Sequence, residues 1–197
     1  MTVPDTALDR AAAAIRRGDL VVYPTETVYG LGADALDPTA IDRVYEVKRR
    51  PHDDPLSLAV PTVEAAHRYV TADAVEHRFM QAFLPGPVTV VCRKRERVPD
   101  ELTAGRDRVG VRVPDHPVAR ALLDRVAPIT ATSANVSGTG SVRDIAALSP
   151  RVRAAAATIL DDGETPGTES TVVDVVAGEI LRRGAMADAI EAWLSEE

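Results

Sequence analysis

Apolar residues recur along the chain in two patterns: short continuous runs, and longer segments with a repeat of about three to four residues. The short runs are typical of strands, and the longer repeats are typical of helices. The predicted helices cover residues 5–17, 38–48, 63–69, 74–83, 117–125, a weaker one at 146–157, and 185–194. The predicted strands cover residues 20–23, 56–60, 88–92, 109–113, 129–132, 158–160, 171–176 and 180–182. Helices and strands alternate, and several strands follow one another near the end. The order therefore predicts one α/β domain over residues 1–197, with a mixed β-sheet and flanking helices.

The composition is that of an ordinary globular protein, with 45% hydrophobic and 27% charged residues among 197. Cys92 is the only cysteine, which excludes an internal disulfide and a cysteine-built zinc site. The sequence has neither a secretory signal pattern nor an apolar run near the roughly 20 residues of a membrane span, so we expect a cytoplasmic protein without membrane contact. The formal net charge of −7 excludes a basic footprint over the whole surface, but not a local basic patch.

Lysine occurs only twice, at Lys48 and Lys94, beside 21 arginines. Neither lysine follows a glycine, so the P-loop of Walker-type NTPases is excluded. Lys94 stands in the charged run 93–97 and is interpreted as a solvated surface lysine. Residues 30–35 match a dinucleotide fingerprint in letters only, because the preceding strand ends at Tyr23 and the next helix begins well after the glycines. The four histidines are scattered, so neither a histidine-dependent triad nor a histidine metal site is expected.

Three short segments concentrate polar side chains at predicted strand or helix ends. Residues 23–30 deliver two threonines and a glutamate to the end of a strand, where open α/β sheets bind ligands. Lys48 and Arg50 follow a helix, and residues 131–138 combine small residues with hydroxyls and amides. Each segment also has a purely structural interpretation: a threonine-rich turn, cations that complement the helix dipole, or a Ser/Asn turn.

Two further arginines lie inside or at the end of apolar strands. A charge at Arg112 or Arg182 is costly unless it meets an anion or a carboxylate, so a salt bridge and a ligand site are both open. Together with Lys48 and Arg50 they would form a basic pocket inside an acidic protein. Lysine as a point charge and arginine as a fork suit a polyphosphate, so the sequence predicts a site for an anionic small molecule.

Seven motifs occur in the order of one known family. They are YPTETVYGLG at 23–32, KxRP at 48–51, LPGPVT at 84–89, VRVP at 111–114, TSANVSG at 132–138, STVVD at 170–174 and LRxG at 181–184. Over residues 20–184 the chain therefore resembles the YrdC-like family of threonylcarbamoyl-AMP synthases, in its short form. The resemblance implies a twisted α/β sheet with a concave basic face. It also implies a nucleotidyltransferase that makes threonylcarbamoyl-AMP and pyrophosphate from L-threonine, bicarbonate or CO2, and ATP, for threonylcarbamoyladenosine modification of tRNA.

The resemblance also implies roles for particular residues. ATP would be bound by Lys48, Arg50, Asp54, Ser133, Asn135, Ser141 and Arg182, and threonine by Thr25, Arg112 and Ser170. Lys48 and Arg50 would stabilise charge, with no protein nucleophile and no protein metal site, and Mg2+ would arrive with ATP. The implied partners are threonylcarbamoyl-transferase proteins, with tRNA as a further candidate. Two positions depart from the family: Ala59, where some relatives have histidine, and Arg183, where proline is usual.

Two other functions fit parts of the same sequence. The first is a ribosome-assembly module that binds double-stranded RNA or tRNA on the concave face without making an adenylate. A net charge of −7 and only 4% aromatic residues do not favour a large RNA footprint. The second is a carbamoyl-adenylate domain that serves another acceptor, which the lack of zinc-finger cysteines disfavours.

Overall fold

The computed structural model describes residues 3–196, in which helices and strands alternate along the chain. The helices are α1 (Asp5–Arg16), α2 (Pro38–Lys48), α3 (Val63–Ala66), α4 (Ala74–Phe83), α5 (Asp100–Thr103), α6 (Pro117–Arg125), α7 (Pro150–Ala155) and α8 (Ala187–Glu196), with a 3-10 turn at Ile145–Ala147. The strands are β1 (Leu20–Tyr23), β2 (Gly30–Gly32), β3 (Ser57–Ala59), β4 (Val70–Thr71), β5 (Val88–Lys94), β6 (Arg108–Arg112), β7 (Ile129–Ala131), β8 (Ala156–Ile159), β9 (Thr171–Asp174) and β10 (Glu179–Arg182). None of the helices within residues 3–196 has the length and apolar character needed to cross a membrane.

Several helices begin where the sequence supplies a cap. Asp37 accepts a hydrogen bond from the Thr39 N–H at 2.9 Å, and a proline takes the first position of α2. α2 ends where Arg49 adopts a left-handed conformation with a φ of 50°. α4 opens on a capping box, in which Asp73 and Glu76 each accept a hydrogen bond from the other's backbone N–H. These local contacts fix α2 and α4 at the residues that the sequence predicts.

The strands form two sheets that run side by side. One sheet has the order β10-β9-β5-β6-β3-β7, with β4 on β5, and the other has the order β2-β1-β8. β2 lies beside β7, where the Leu31 N–H donates to the Thr132 carbonyl at 2.8 Å and the Thr130 N–H donates to the Ala33 carbonyl at 2.9 Å. Pairing is mixed, since β5 is antiparallel to β6 and parallel to β9. The expected mixed sheet with flanking helices is confirmed.

Two apolar cores lie on opposite faces of β1. Successive residues of a strand point to opposite faces, so Val22 joins the larger core and Val21 joins the smaller one. The larger core includes the fully buried Ile41 of α2 and Phe79 of α4. The smaller core is built from α1 and α6, which pack together over β1. Because the helices cover these apolar faces, the polar side chains gather at the strand ends.

The helix predicted at 146–157 is wrong in its extent. The segment divides into the end of the 3-10 turn, two extended residues, α7 and the start of β8. Pro150 begins α7 because it lacks the N–H that a helix interior needs. Ala156 then pairs in parallel with Leu20 of β1, so β8 starts two residues before the predicted strand. Strand pairing overrides the helix propensity of the alanines.

Three short elements have no counterpart in the sequence pattern: β2, β4 and α5. β2 contains two glycines, and a Cβ on Gly30 would lie 2.8 Å from the Tyr23 ring. Because its two glycines make room for this ring, β2 lacks the alternation of apolar and polar residues that would have predicted a strand. The helix predicted at 63–69 ends early, at Ala66, and is followed by β4.

Candidate functional site

A cavity of about 520 Å³ lies at the ends of strands from both sheets. Its wall carries arginines and two carboxylates, namely Arg50, Arg106, Arg108, Arg112, Arg182, Asp54 and Glu169. Of the ten residues that the family resemblance assigned, seven line it: Thr25, Arg50, Asp54, Arg112, Ser133, Ser170 and Arg182. The fold therefore brings together in one place most of the side chains that the sequence singled out.

A turn after β1 places hydroxyl groups against Arg112. Thr25 Oγ1 donates to the Val28 carbonyl at 2.6 Å and accepts from the Val28 N–H at 3.3 Å, which closes the turn. Arg112 reaches the turn from β6, and its Nη2 donates to Thr27 Oγ1 at 2.6 Å and to Glu26 Oε1 at 2.9 Å. The buried Arg112 Nε and Glu26 Oε2 have no hydrogen-bond partner. Arg112 thus has a carboxylate partner and also a place in the cavity wall.

Ser170 connects β5 and β10 within the wall. Arg182 Nη2 donates to the Ser170 carbonyl at 2.8 Å and to the Ser170 Oγ at 3.0 Å. The Ser170 hydroxyl also lies 3.1 Å from the hydroxyl of Thr89. On the other side of the guanidinium, Arg182 Nη1 forms an ion pair with Glu169 Oε2 at 3.1 Å. Burial lowers the pKa of Arg182, the neighbouring arginines lower it further, and Glu169 opposes the shift.

Lys48 lies beneath the loop after β7 rather than at the cavity wall. It is 1% exposed, and its Nζ donates to the Ser133 carbonyl at 2.5 Å and to the Asn135 carbonyl at 2.7 Å. Burial, together with the charge of Arg50, lowers the pKa of Lys48 to about 8. Asn135 donates in turn from Nδ2 to the Thr139 carbonyl at 2.5 Å. Lys48 and Asn135 therefore hold the loop that presents Ser133, and their contact with ATP stays a prediction.

Arg50 is held at the wall by its own loop. Its Nε donates to the Asp54 carbonyl and its Nη2 to the Pro55 carbonyl, both at 2.9 Å. Arg50 Nη2 also forms an ion pair with Asp54 Oδ1 at 2.8 Å. The Tyr45 hydroxyl donates to the Asp54 carbonyl at 3.2 Å and ties the loop to α2. A guanidinium fixed in this way loses less conformational entropy when it meets an anion.

Some polar residues of the cavity carry no assignment from the sequence. They are Ser57, Thr89, Arg106, Arg108, Thr132 and Glu169. Arg108 is committed to the fold, since its Nη2 lies 3.3 Å from Glu76 Oε1 and 3.0 Å from Asp174 Oδ1. Glu169 instead contacts two assigned residues, because the Ser141 hydroxyl donates to its Oε1 and Arg182 meets its Oε2. Its position next to the STVVD motif was the available sequence signal.

Three further residues that the sequence analysis singled out lie outside the cavity wall. Lys94 is not a solvated lysine as interpreted from the sequence, since its side chain is 13% exposed, pairs with a carboxylate and donates to the Val98 carbonyl at 3.1 Å. Ala59, where some relatives have histidine, is buried in the smaller core. Arg183 is exposed and lies 2.7 Å from Asp188 on α8. Neither departure from the family pattern falls on the cavity wall.

The family model for Sua5, YciO and YrdC, described as "Telomere recombination", matches residues 13–184. This chain belongs to that family. Threonylcarbamoyl-AMP synthase of Pyrococcus abyssi is 43% identical over 193 residues, which are 94% of this chain and 56% of the relative. Threonylcarbamoyl-AMP synthase of Xanthomonas axonopodis pv. citri is 36% identical over 181 residues, which are 89% of this chain and 96% of the relative.

A solved structure of the same family shares the fold. The crystal structure of Pyrococcus abyssi Sua5 complexed with L-threonine superposes with a TM-score of 0.87 at 39% sequence identity. The match covers 93% of the present Sua5/YciO/YrdC family member but 56% of the Pyrococcus chain. This chain thus spans little more than half the length of its Pyrococcus relative and nearly the whole of its Xanthomonas relative.

Proposed function

We propose that this family member is an L-threonylcarbamoyladenylate synthase, which forms threonylcarbamoyl-AMP and pyrophosphate from L-threonine, bicarbonate or CO2, and ATP. The observation that carries the proposal is a single cavity with two sets of polar side chains in its wall. The amino-acid set is Thr25, Arg112 and Ser170. The nucleotide set is Arg50, Ser133 and Arg182. The names of the Pyrococcus and Xanthomonas relatives support the same reaction.

The amino-acid set suits a small hydroxylated amino acid. A guanidinium can bind a carboxylate through two parallel hydrogen bonds, so we assign the α-carboxylate of threonine to Arg112. Hydroxyl oxygens accept from N–H and O–H donors, so those of Thr25 and Ser170 suit the amine and the hydroxyl of threonine. The related Pyrococcus abyssi Sua5 is known in a complex with L-threonine, which supports threonine as the amino acid.

The nucleotide set suits the phosphates of ATP. Arg50, on the loop after α2, and Arg182, at the end of β10, line the same cavity, so two guanidiniums are available to one anion. Ser133 adds a hydroxyl on a loop of small residues that lets a ligand approach the backbone closely. The charge of Lys48 lies behind that loop and reinforces the positive potential.

The two sets share a boundary at Ser170, which contacts Arg182 through its hydroxyl at 3.0 Å. A threonine held at one side therefore lies beside a triphosphate held at the other. Positioning two reactants in this way removes much of the entropic barrier of a bimolecular step. Guanidiniums aimed at the phosphates then stabilise the charge that develops during transfer.

The reaction needs no protein nucleophile. The threonine amine attacks CO2 and loses a proton, which gives a carbamate. A carbamate oxygen attacks the α-phosphorus of ATP, the bond from that phosphorus to the bridging oxygen breaks, and pyrophosphate leaves with the electron pair. Among residues 3–196 no three His, Cys, Asp or Glu side chains form a group suited to a metal ion. We propose that Mg2+ enters with ATP, as part of the MgATP substrate.

The product is a reactive mixed anhydride. We assign its consumption to threonylcarbamoyl-transferase proteins, which pass the group to tRNA in the cytoplasm. tRNA itself is a candidate ligand of the concave face.

Substrate affinities measured on two variants test the proposal. Arg112→Ala should raise the KM for L-threonine at least tenfold and leave the Kd for MgATP within about twofold, because it removes one charge-assisted contact to the amino acid. Arg50→Ala should raise the Kd for MgATP at least tenfold and leave the KM for L-threonine within about twofold. Arg17→Ala, which breaks an exposed ion pair outside the cavity, is the control. Folded protein that binds tRNA but releases no pyrophosphate would contradict the proposal and favour the RNA-binding alternative.

A further inference from the structure

Glu169 is the one carboxylate of the cavity wall, within residues 3–196, that contacts two predicted ATP-binding residues at once. Its Oε1 accepts from the Ser141 hydroxyl, and its Oε2 lies 3.1 Å from Arg182 Nη1. Hydroxyl and guanidinium donors that converge in this way are the donors a phosphate group uses. The carboxylate thus occupies the same contacts that the resemblance assigns to the nucleotide.

We propose that the Glu169 carboxylate competes with a nucleotide phosphate for Ser141 and Arg182, and thereby sets how tightly the site holds a polyphosphate. This inference rests on the proposed function, since it concerns the nucleotide set of the same cavity. It makes Glu169 a positioning residue that acts through its two partners.

The backbone at Glu169 is fixed in place. Its carbonyl accepts from the Ala185 N–H at 2.8 Å. The same segment packs so closely on Gly184 that a Cβ there would lie 2.7 Å from the Ser170 carbonyl carbon. The next residue is tied down as well, because Arg182 donates to the Ser170 carbonyl. Motion of the carboxylate therefore comes from the side chain and not from the chain as a whole.

The side chain of Glu169 has room to turn. It is 40% exposed, and the Arg182 side chain is 49% exposed. An ion pair with this much solvent contact contributes little free energy, so an incoming anion displaces it at low cost. A carboxylate that turns away exposes both partners to the phosphate. One that stays repels the phosphate, since both groups are negative.

The charges around Glu169 explain why a carboxylate stands in a basic cavity. Arg50, Arg112 and Arg182 line one wall, and their mutual repulsion disfavours the compact arrangement. Glu169 offsets part of this repulsion. A polyphosphate brings more negative charge than one carboxylate, so the exchange favours the ligand with more phosphates.

Nucleotide titrations of Glu169→Gln test the competition. We expect the Kd for ATP, measured by calorimetry in EDTA without divalent metal, to fall about three- to fivefold, the size of one partly exposed charge contact. The gain should grow from AMP to ADP to ATP, a trend that a purely structural role of Glu169 would not produce. Glu169→Ala should show the same order, which separates the loss of charge from new contacts of the glutamine amide.

Glu164→Gln is the matched control. Glu164 lies five residues away, pairs with Arg143 at 2.9 Å and does not line the cavity. The substitution therefore removes the same charge as Glu169→Gln but leaves the contacts with Ser141 and Arg182 in place. Its Kd for all three nucleotides should equal that of the unaltered protein. Equal or weaker ATP binding by both Glu169 variants, with ATP bound normally by the unaltered protein, would overturn the inference alone. Tighter ATP binding without threonine-dependent pyrophosphate release would support the inference and contradict the proposed reaction.

Discussion

Arg112 Nη2 lies 2.9 Å from Glu26 Oε1, and the two side chains are only 12% and 15% exposed. The residues are 86 positions apart in the chain, so it is the fold that brings them together. The ion pair couples the turn after β1 to β6 at the wall of the cavity. It also explains how a charged side chain is accommodated at the end of an apolar strand.

Breaking this ion pair should destabilise the protein. Arg112→Met leaves the Glu26 carboxylate largely buried without its partner, and we expect the free energy of unfolding in urea to fall by about 2–3 kcal/mol. Adding Glu26→Gln should recover part of that loss, because the uncompensated charge disappears. Arg17→Met breaks an exposed ion pair and should change stability by less than ~0.5 kcal/mol. Losses that simply add in the double variant would contradict the coupling.

Lys48 should give stability a pH dependence of defined sign. Burial lowers its pKa to about 8 in the folded protein, whereas its ordinary value is 10.5. Between these values the folded protein releases the proton and the unfolded chain retains it, so stability rises with pH. The rise amounts to about 2 kcal/mol between roughly pH 8 and 10. Two buried groups act in the opposite direction. Burial raises the pKa of Cys92 above its ordinary value of 9.0 and that of Tyr23 to about 12, so each lowers stability as the pH rises past its ordinary value, which is 10.0 for Tyr23.

The unfolding free energy of the unaltered protein and of Lys48→Met, measured across this pH interval, isolates the contribution of the lysine. The variant loses the hydrogen bonds from Lys48 to two carbonyls, so its unfolding free energy will be lower at every pH. The informative quantity is therefore the slope. Parallel curves for the two proteins would show that Lys48 does not titrate in this interval.

Gly110 should tolerate no side chain, because β6 passes closely over the cavity floor. A Cβ at this position would lie 2.9 Å from Thr89 Cγ2 and 3.0 Å from Ser57 Cβ. Gly110→Ala should cost about 1–3 kcal/mol of stability. The same substitution should also raise the KM for threonine, because the displaced Thr89 contacts the Ser170 hydroxyl. In Gly140→Ala the added Cβ meets nothing within 4 Å, so thermal unfolding should be unchanged.

The helices that the sequence predicted well are those with strong local signals. α2, α4 and α6 begin and end at the predicted residues, because Asp37, Asp73 and His116 cap them and prolines open two of them. The segment around Ala156 was mispredicted because its strand state depends on pairing with Leu20, far away in the chain. Local propensity carries no information about such a partner.

The site divides in the same way. Arginines in apolar strands and hydroxyls at strand ends stand out in the sequence, and the fold places Thr25, Arg112 and Ser170 in the wall of one cavity. The burial of Lys48 and the bridging position of Glu169 could not be predicted. Both depend on loops that meet only in three dimensions, since Lys48 contacts a carbonyl 87 residues away.

The most direct test of the central claim is pyrophosphate release from MgATP and bicarbonate, with and without L-threonine, followed by mass spectrometry of the nucleotide product. The cavity predicts release that depends on threonine, and a product with the mass of threonylcarbamoyl-AMP. Folded protein that binds ATP and threonine but yields neither pyrophosphate nor this adenylate would contradict the claim.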